Sequence, residues 1–282
     1  MFTHQAGGGN PLAVCYDARG LTSVQMQQIA TEFNYSETTF VLPPQDDNHD
    51  AQVRIFTPVS EIDFAGHPNV GTAIALVNLG LVRDRETLVF EEKAGLVPIE
   101  LEWQDGQIKS ATLTAPKPPK RGESATVSEI ASALGLELAD ILVNTHPPAM
   151  VSVGVYFLII EVKDLDALAR AQCPVAHESE RLSAEGLFLY TEDGEGAYRA
   201  RMFAPNHGII EDPATGSAVA AFMGLKALET REDGEWHYRI VQGVEMDRPS
   251  LLNASFKRQN GKVAHIKVGG EAVMVREGVL VI

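Results

Sequence analysis

The stretch Arg54-Ile55-Phe56-Thr57-Pro58, with His67-Pro68-Asn69-Val70-Gly71-Thr72-Ala73-Ile74-Ala75 behind it, decides the fold because it occurs twice. The second copy reads Arg201-Met202-Phe203-Ala204-Pro205, then Asp212-Pro213-Ala214-Thr215-Gly216-Ser217-Ala218-Val219-Ala220. The later segment starts eleven residues after Phe56 and nine after Phe203, in a shared pattern of polar-Pro-x-x-Gly-hydroxyl-Ala-aliphatic-Ala. Repetition on this scale dictates architecture before any single motif does. It predicts two pseudo-equivalent units, with a functional site expected at their interface. Upstream, Glu37 to Leu42 has a looser counterpart in Gly154 to Ile159. Downstream, Asp105-Gly106 and Asn260-Gly261 each sit between alternating apolar runs, a strong hairpin signal.

Short β-like runs surround these copies, at Leu12 to Tyr16, Thr38 to Leu42, Val53 to Phe56, Val97 to Trp103 and Ile108 to Ala115. Helices are few. Thr22 with Gln25 forms a capping-box pattern ahead of Met26, Ile29, Ala30 and Phe33 at helical spacing. A second helix is expected from about Pro68 to Leu79, stopped by Gly80. The stretch Pro116-Lys117-Pro118-Pro119-Lys120-Arg121-Gly122 continues neither strand nor helix and reads as a linker. The expected domains are therefore 1–117, completed by a C-terminal strand over about 271–282, and 118–270.

The 282 residues, 45% of them hydrophobic, suffice for one large core or two ordinary ones. A formal net charge of -15 repels polyanions, which argues against nucleic acid and anionic membrane surfaces as partners. No apolar run reaches the roughly 18 residues of a membrane span. Two cysteines, Cys15 and Cys173, make neither a disulfide framework nor a thiolate metal site. A cytoplasmic location is expected. No His-Glu-x-x-His or similar ligand pair occurs among the eight histidines, so no metal is expected.

Each copy reads as a loop feeding a helix whose opening residues are proline, small and glycine. Uncovered backbone N–H groups and the helix dipole attract anions at such an end. Two such ends would grip a carboxylate or an enolate, with the Thr72 and Ser217 hydroxyls as further donors. His67 and Asp212 occupy matching positions; a structural histidine and a simple helix cap are the plainer readings, and proton traffic the functional one. Glu37 enters a β-run of otherwise apolar or β-branched residues, where burial would favour its neutral form and fit it for proton transfer. Its counterpart in the looser alignment is Gly154, so the symmetry breaks there. Gly7-Gly8-Gly9 lacks the register of a nucleotide cradle, and His207 reads as part of a surface turn.

These residues together resemble the PhzF-like isomerase family, relatives of diaminopimelate epimerase. The resemblance runs through Gly9-Asn10-Pro11-Leu12-Ala13-Val14, Ser36-Glu37-Thr38-Thr39-Phe40-Val41, Phe56-Thr57-Pro58, Phe64-Ala65-Gly66-His67-Pro68 and Glu211-Asp212-Pro213-Ala214-Thr215-Gly216-Ser217-Ala218. It implies an α+β fold of two pseudo-symmetric domains, each a curled, mostly antiparallel sheet around a central helix. It implies a cofactor-independent isomerase or epimerase, commonly a homodimer, acting on a small carboxylate-bearing substrate. Glu37 is then the acid/base, with His67, Asp212 and Ser217 completing the catalytic set. Gly66, Asn69, Gly71, Thr72, Thr215 and Gly216 are expected to bind substrate. Departures at Tyr35, at Met246-Asp247-Arg248-Pro249 and in the glycine-rich His4 to Gly8 leave that set intact and bear on substrate identity. The competing readings are a non-catalytic carboxylate-binding or protein-interaction module of the same fold and a hydrolase using Ser217, which lacks a Gly-x-Ser-x-Gly elbow.

Overall fold

The computed structural model describes residues 1–83, 85–175, 177, 182 and 184–281. The chain divides into two units, Met1–Leu113 with Gly269–Ile282, and Thr114–Val268. The first unit contains β1 (Leu12–Cys15), α1 (Ser23–Phe33), β2 (Glu37–Leu42), β3 (Ala51–Phe56), β4 (Glu61–Ile62), α2 (Gly66–Asn78), β5 (Thr87–Glu92), β6 (Gly95–Gln104) and β7 (Gln107–Thr114). Its strands run in the order β1-β2-β3-β5-β6-β7, with β4 on β3. Only β1–β2 and β3–β5 are parallel; the other pairs are antiparallel.

The apolar pattern explains where the helices go. Helix α1 starts on the Thr22/Gln25 capping box, both of whose bonds form, and buries Met26, Ile29 and Ala30 with Phe40 and Phe56 on one face of the sheet. Phe40 and Phe56 meet edge to face at 5.3 Å. Helix α2 touches β1, β2 and β6, so the sheet curls around it. Its Val70, Ala73, Ile74 and Leu76 are all buried. A fully buried side chain of the Leu or Ile class contributes about 1.5–3 kcal/mol. Gly71 admits β1 at close range, since a Cβ there would lie 2.5 Å from Leu12 Cδ2.

The second unit contains β8 (Lys120–Arg121), α3 (Val127–Leu134), β9 (Ala149–Ser152), β10 (Tyr156–Glu161), α4 (Leu165–Arg170), β11 (Gly186–Glu192), β12 (Ala197–Ala204), β13 (Ile209–Asp212), α5 (Gly216–Glu229), β14 (Gly234–Gln242), β15 (Ser250–Gln259) and β16 (Lys262–Gly270). From β10 onward it repeats the first unit strand for strand: β10–β11 parallel, β11–β12 antiparallel, β12–β14 parallel, β14–β15 antiparallel, with β13 on β12. Helix α5 occupies the place of α2 and touches β9, β10, β11 and β15. Phe222 at its middle packs 4.2 Å from Tyr190 and 5.1 Å from Tyr198. No helix is long and apolar enough to cross a membrane among the described residues.

The repeat is locked in each unit by the same ion pair. Arg54 grips Glu61 through Nε at 2.7 Å and Nη2 at 2.9 Å, its guanidinium lying 5.1 Å from the Phe56 ring. Arg201 grips Glu211 at 2.8 Å through both nitrogens and lies 4.8 Å from the Phe203 ring. Bidentate pairs of this kind fix the angle between paired strands as well as adding energy. Both Asp-Gly and Asn-Gly pairs make their hairpins, with positive φ at Asp105, Gly106, Asn260 and Gly261.

Register corrects three expectations. Phe56 lies opposite Thr38, and Phe203 opposite Leu187. The counterpart of Glu37 is therefore Gly186 at the start of β11, not Gly154, which lies in the turn between β9 and β10. The expected linker contains a strand, since Lys120 and Arg121 pair with Ser152 and Val151. Residues 271–281 form no strand: past β16 the segment keeps the Thr3 N–H on the Glu271 carbonyl and the Tyr16 hydroxyl on Glu277, too few bonds to make a ladder.

Candidate active site

In the first unit the site grows from the entry of β2 and the first turn of α2. Residues Glu37, Thr39 and Val41 alternate onto the face that meets α2, as the 2.8 Å bond between Thr39 and Thr72 hydroxyls shows. That alternation brings Glu37 Oε2 to 3.1 Å from His67 Nε2, with the two side chains only 16% and 6% exposed. Burial pushes the His67 imidazole down to about 3. The contact at neutral pH is thus between a carboxyl group and a neutral imidazole, close enough to exchange a proton although Nε2 and Oε2 are not aligned as a well-formed hydrogen bond.

Helix α2 begins at Gly66, two residues ahead of the expected Pro68, because Ala65 already has extended dihedrals and Pro68 needs no N–H partner in the first turn. The Gly66 and His67 N–H groups have no acceptor within the helix. Asn69, fully buried, donates its Nδ2 to the Ala65 carbonyl at 3.0 Å. Gly71 and Thr72 lie in the second turn, where backbone N–H groups are committed within the helix. The Thr72 hydroxyl is held by Thr39.

The second unit arranges the equivalent segment differently. Asp212 ends β13, and Pro213 precedes α5 instead of opening it, so only Gly216 and Ser217 of the expected residues stand in the first turn. The reason is tertiary. Gln242, fully buried at the end of β14, donates Nε2 to the Asp212 carbonyl at 2.7 Å and accepts the Thr215 N–H at 3.2 Å. It thereby satisfies backbone groups that a longer helix would have used. Thr215 turns its hydroxyl onto Asp212 Oδ2, and Gln242 Nε2 also reaches Thr215 Oγ1 at 3.2 Å. The N–H groups of Gly216, Ser217 and Ala218 lack intrahelical acceptors, the first closing bond being Val219 N–H to the Thr215 carbonyl. Ser217 is half-buried at the second position of α5. His207 sits in an exposed turn, 2.6 Å from Glu185.

Glu37 and His67 are thus brought together in one unit, and Asp212 and Thr215 in the other. Sequence reading missed Gln242, Thr39 and the Glu61/Glu211 pair. The last was visible in the duplicated frame, as an acid behind each repeated arginine. Gln242 left a fainter trace, a polar residue continuing the inward alternation of Ile240.

The chain matches the family model for phenazine biosynthesis-like protein over residues 1–278. It is 39% identical over 292 aligned residues to an uncharacterized isomerase of Mesorhizobium japonicum, spanning 100% of this chain and 97% of that one. It is 36% identical over 273 residues to the trans-2,3-dihydro-3-hydroxyanthranilate isomerase of Pseudomonas aeruginosa, spanning 96% and 93%. The crystal structure of a PhzF-family phenazine biosynthesis protein from Bacillus anthracis superposes with a TM-score of 0.88 at 30% identity, covering 99% of this chain and 96% of that one. The family recognised from the motifs is the one that these matches return, and the chain belongs to the phenazine biosynthesis-like, or PhzF, protein family.

Proposed function

We propose that this protein is an isomerase that moves a proton at carbon on a small carboxylate-bearing substrate, with Glu37 as the acid/base. The observation that carries the reading is the buried 3.1 Å contact of Glu37 with His67, beside a helix end whose N–H groups lack intrahelical acceptors. A carboxyl group removes or delivers a proton, a neutral imidazole orients it or exchanges a proton with it, and N–H groups at a helix start stabilise charge developing on a carboxylate or enolate. Asp212, positioned by Thr215 and Gln242, and Ser217 on α5 are the further catalytic residues of this proposal. Such a step needs an acid/base and charge stabilisation, so no cofactor is invoked. A carboxylate-binding module without chemistry would have no use for an acid held against a neutral imidazole.

The substrate named for the Pseudomonas aeruginosa relative, trans-2,3-dihydro-3-hydroxyanthranilate, is the first candidate. The test is NMR of that compound in D2O with wild type and Glu37→Gln. Wild type is expected to shift the double bond and incorporate deuterium at carbon, and Glu37→Gln to be slowed about 100-fold or more at unchanged Tm. A variant retaining more than about a tenth of the rate removes Glu37 from the acid/base role. An inert wild type removes this compound as substrate.

A further inference from the structure

The two hairpin turns of the repeat differ in reactivity. Asn260-Gly261, between β15 and β16, is the chain's single Asn-Gly pair, and both residues are exposed in a left-handed turn with φ 55° and 72°. Such a pair reacts with itself. The Gly261 nitrogen, once it has given its proton to solvent hydroxide, forms a bond to Asn260 Cγ. The Cγ–Nδ2 bond breaks, and the amide leaves as ammonia after taking a proton from water, which regenerates the hydroxide. Water then opens the imide at either carbonyl, leaving aspartate or isoaspartate. Glycine permits the attack because it has no Cβ to crowd the ring. Nothing lies within 4 Å of the place a Cβ would take at Gly261, so solvent reaches the nitrogen's surroundings freely.

The fold opposes this attack. Gly261 donates its N–H to Asp233 Oδ1 at 3.0 Å, so the nitrogen that must lose a proton holds it against a carboxylate. A hydrogen bond to the neutral form and a like charge beside the anion both disfavour ionisation. On its other side Gly261 is held by Arg258, which donates Nη2 to the Gly261 carbonyl at 2.9 Å and Nη1 to the Ala227 carbonyl at 2.7 Å in the last turn of α5. The nitrogen cannot swing onto Cγ without breaking the Asp233 bond. The matching turn of the first unit, Asp105-Gly106, also has positive φ at both residues, yet no described side chain takes the Gly106 N–H.

We propose that Asn260-Gly261 is a self-modification site, open to imide formation and isoaspartate, and that Asp233 guards it by holding the Gly261 N–H. The guard has something to protect. Isoaspartate puts one more methylene into the main chain of a two-residue turn, and turn length sets the register of the strands it joins. The product also carries a new carboxylate beside Asp233, where like charges repel. The turn, the Asp233 segment and the end of α5 are tied together by these few bonds, so a lengthened turn loosens all three.

The test incubates the full chain in mildly alkaline buffer, folded and unfolded in urea, and follows each site by peptide mass spectrometry and by labelling with a protein isoaspartyl methyltransferase. Folded wild type should convert Asn260 at least about tenfold more slowly than the unfolded chain, because each unit by which a neighbouring carboxylate raises the ionisation of the N–H removes about nine-tenths of the reactive anion. In folded Asp233→Ala, conversion at Asn260 should rise about tenfold over wild type, while Asp105-Gly106 and Asp193-Gly194 keep their wild-type rates. Alanine is the choice because Asp233→Asn would make a second Asn-Gly pair with Gly234. No product at Asn260 in urea overturns the modification site. Folded wild type reacting as fast as the unfolded chain, or an unchanged rate in Asp233→Ala, overturns the guard. A rise at all three pairs in that variant assigns the effect to a loosened fold and likewise removes Asp233 from the role.

Discussion

The first turns of α2 and α5 descend from one repeated segment, yet they are held in opposite ways. In α2 the polar residue of the motif, His67, is inside the helix and meets an acid from β2. In α5 the matching Asp212 stays outside on β13, tied by Thr215 and by Gln242 from β14. The frame around both is the same: an arginine clamped by an acid, a phenylalanine under the guanidinium, and strands paired in the same order. A duplicated fold thus keeps its strand locks in register and varies the helix turn that follows them.

The sharpest way to break the contrast is to remove the tie that only α5 has. Gln242→Leu leaves the Asp212 carbonyl and the Thr215 N–H without their partner, and unfolding by denaturant should show a loss of about 2–4 kcal/mol. If the loss is under about 1 kcal/mol, the turn is held by something else.

The next probe belongs to α2. Because burial lowers His67 to about 3 from an ordinary 6.5, the unfolded chain binds a proton that the native state refuses. That share of stability is complete above about pH 6.5 and falls as pH drops toward 3, by up to about 1.4 kcal/mol per unit. Denaturation curves at pH 7 and 5 should show this slope in wild type and its loss in His67→Asn. An unchanged slope would mean that His67 is protonated in the fold.

The smallest effect concerns Thr72, read from sequence as a donor to an anion and found holding Thr39. Thr72→Val should cost about 1 kcal/mol through the broken hydroxyl pair while leaving KM within about twofold. A larger rise in KM would return the hydroxyl to the substrate.

What was legible in the sequence had a local or periodic cause. The Arg-x-Phe and Pro-x-x-Gly-hydroxyl repeats, the Thr22/Gln25 capping box and the Asp-Gly and Asn-Gly turns act over a few residues, and each produced its element. The start of α5 was not legible, because the residue that shortens it, Gln242, comes from a strand 27 positions beyond Thr215. The pairing of Glu37 with Gly186 was likewise hidden. It rests on strand register, whereas letter similarity favoured the glycine of a turn.

Gly186 gives the duplication a direction. A Cβ added there would lie 2.9 Å from Met202 Sδ and 3.1 Å from the Phe203 carbonyl oxygen, so even alanine crowds backbone as well as a flexible side chain. The site equivalent to Glu37 is closed to a carboxylate by the strand beside it. Mutational drift can therefore erase the acid in the first unit, but it cannot easily install a twin in the second. The two halves repeat as scaffold and differ at this position, so a circular permutation or a swap of units should be judged by which half carries position 37, the acid/base proposed above.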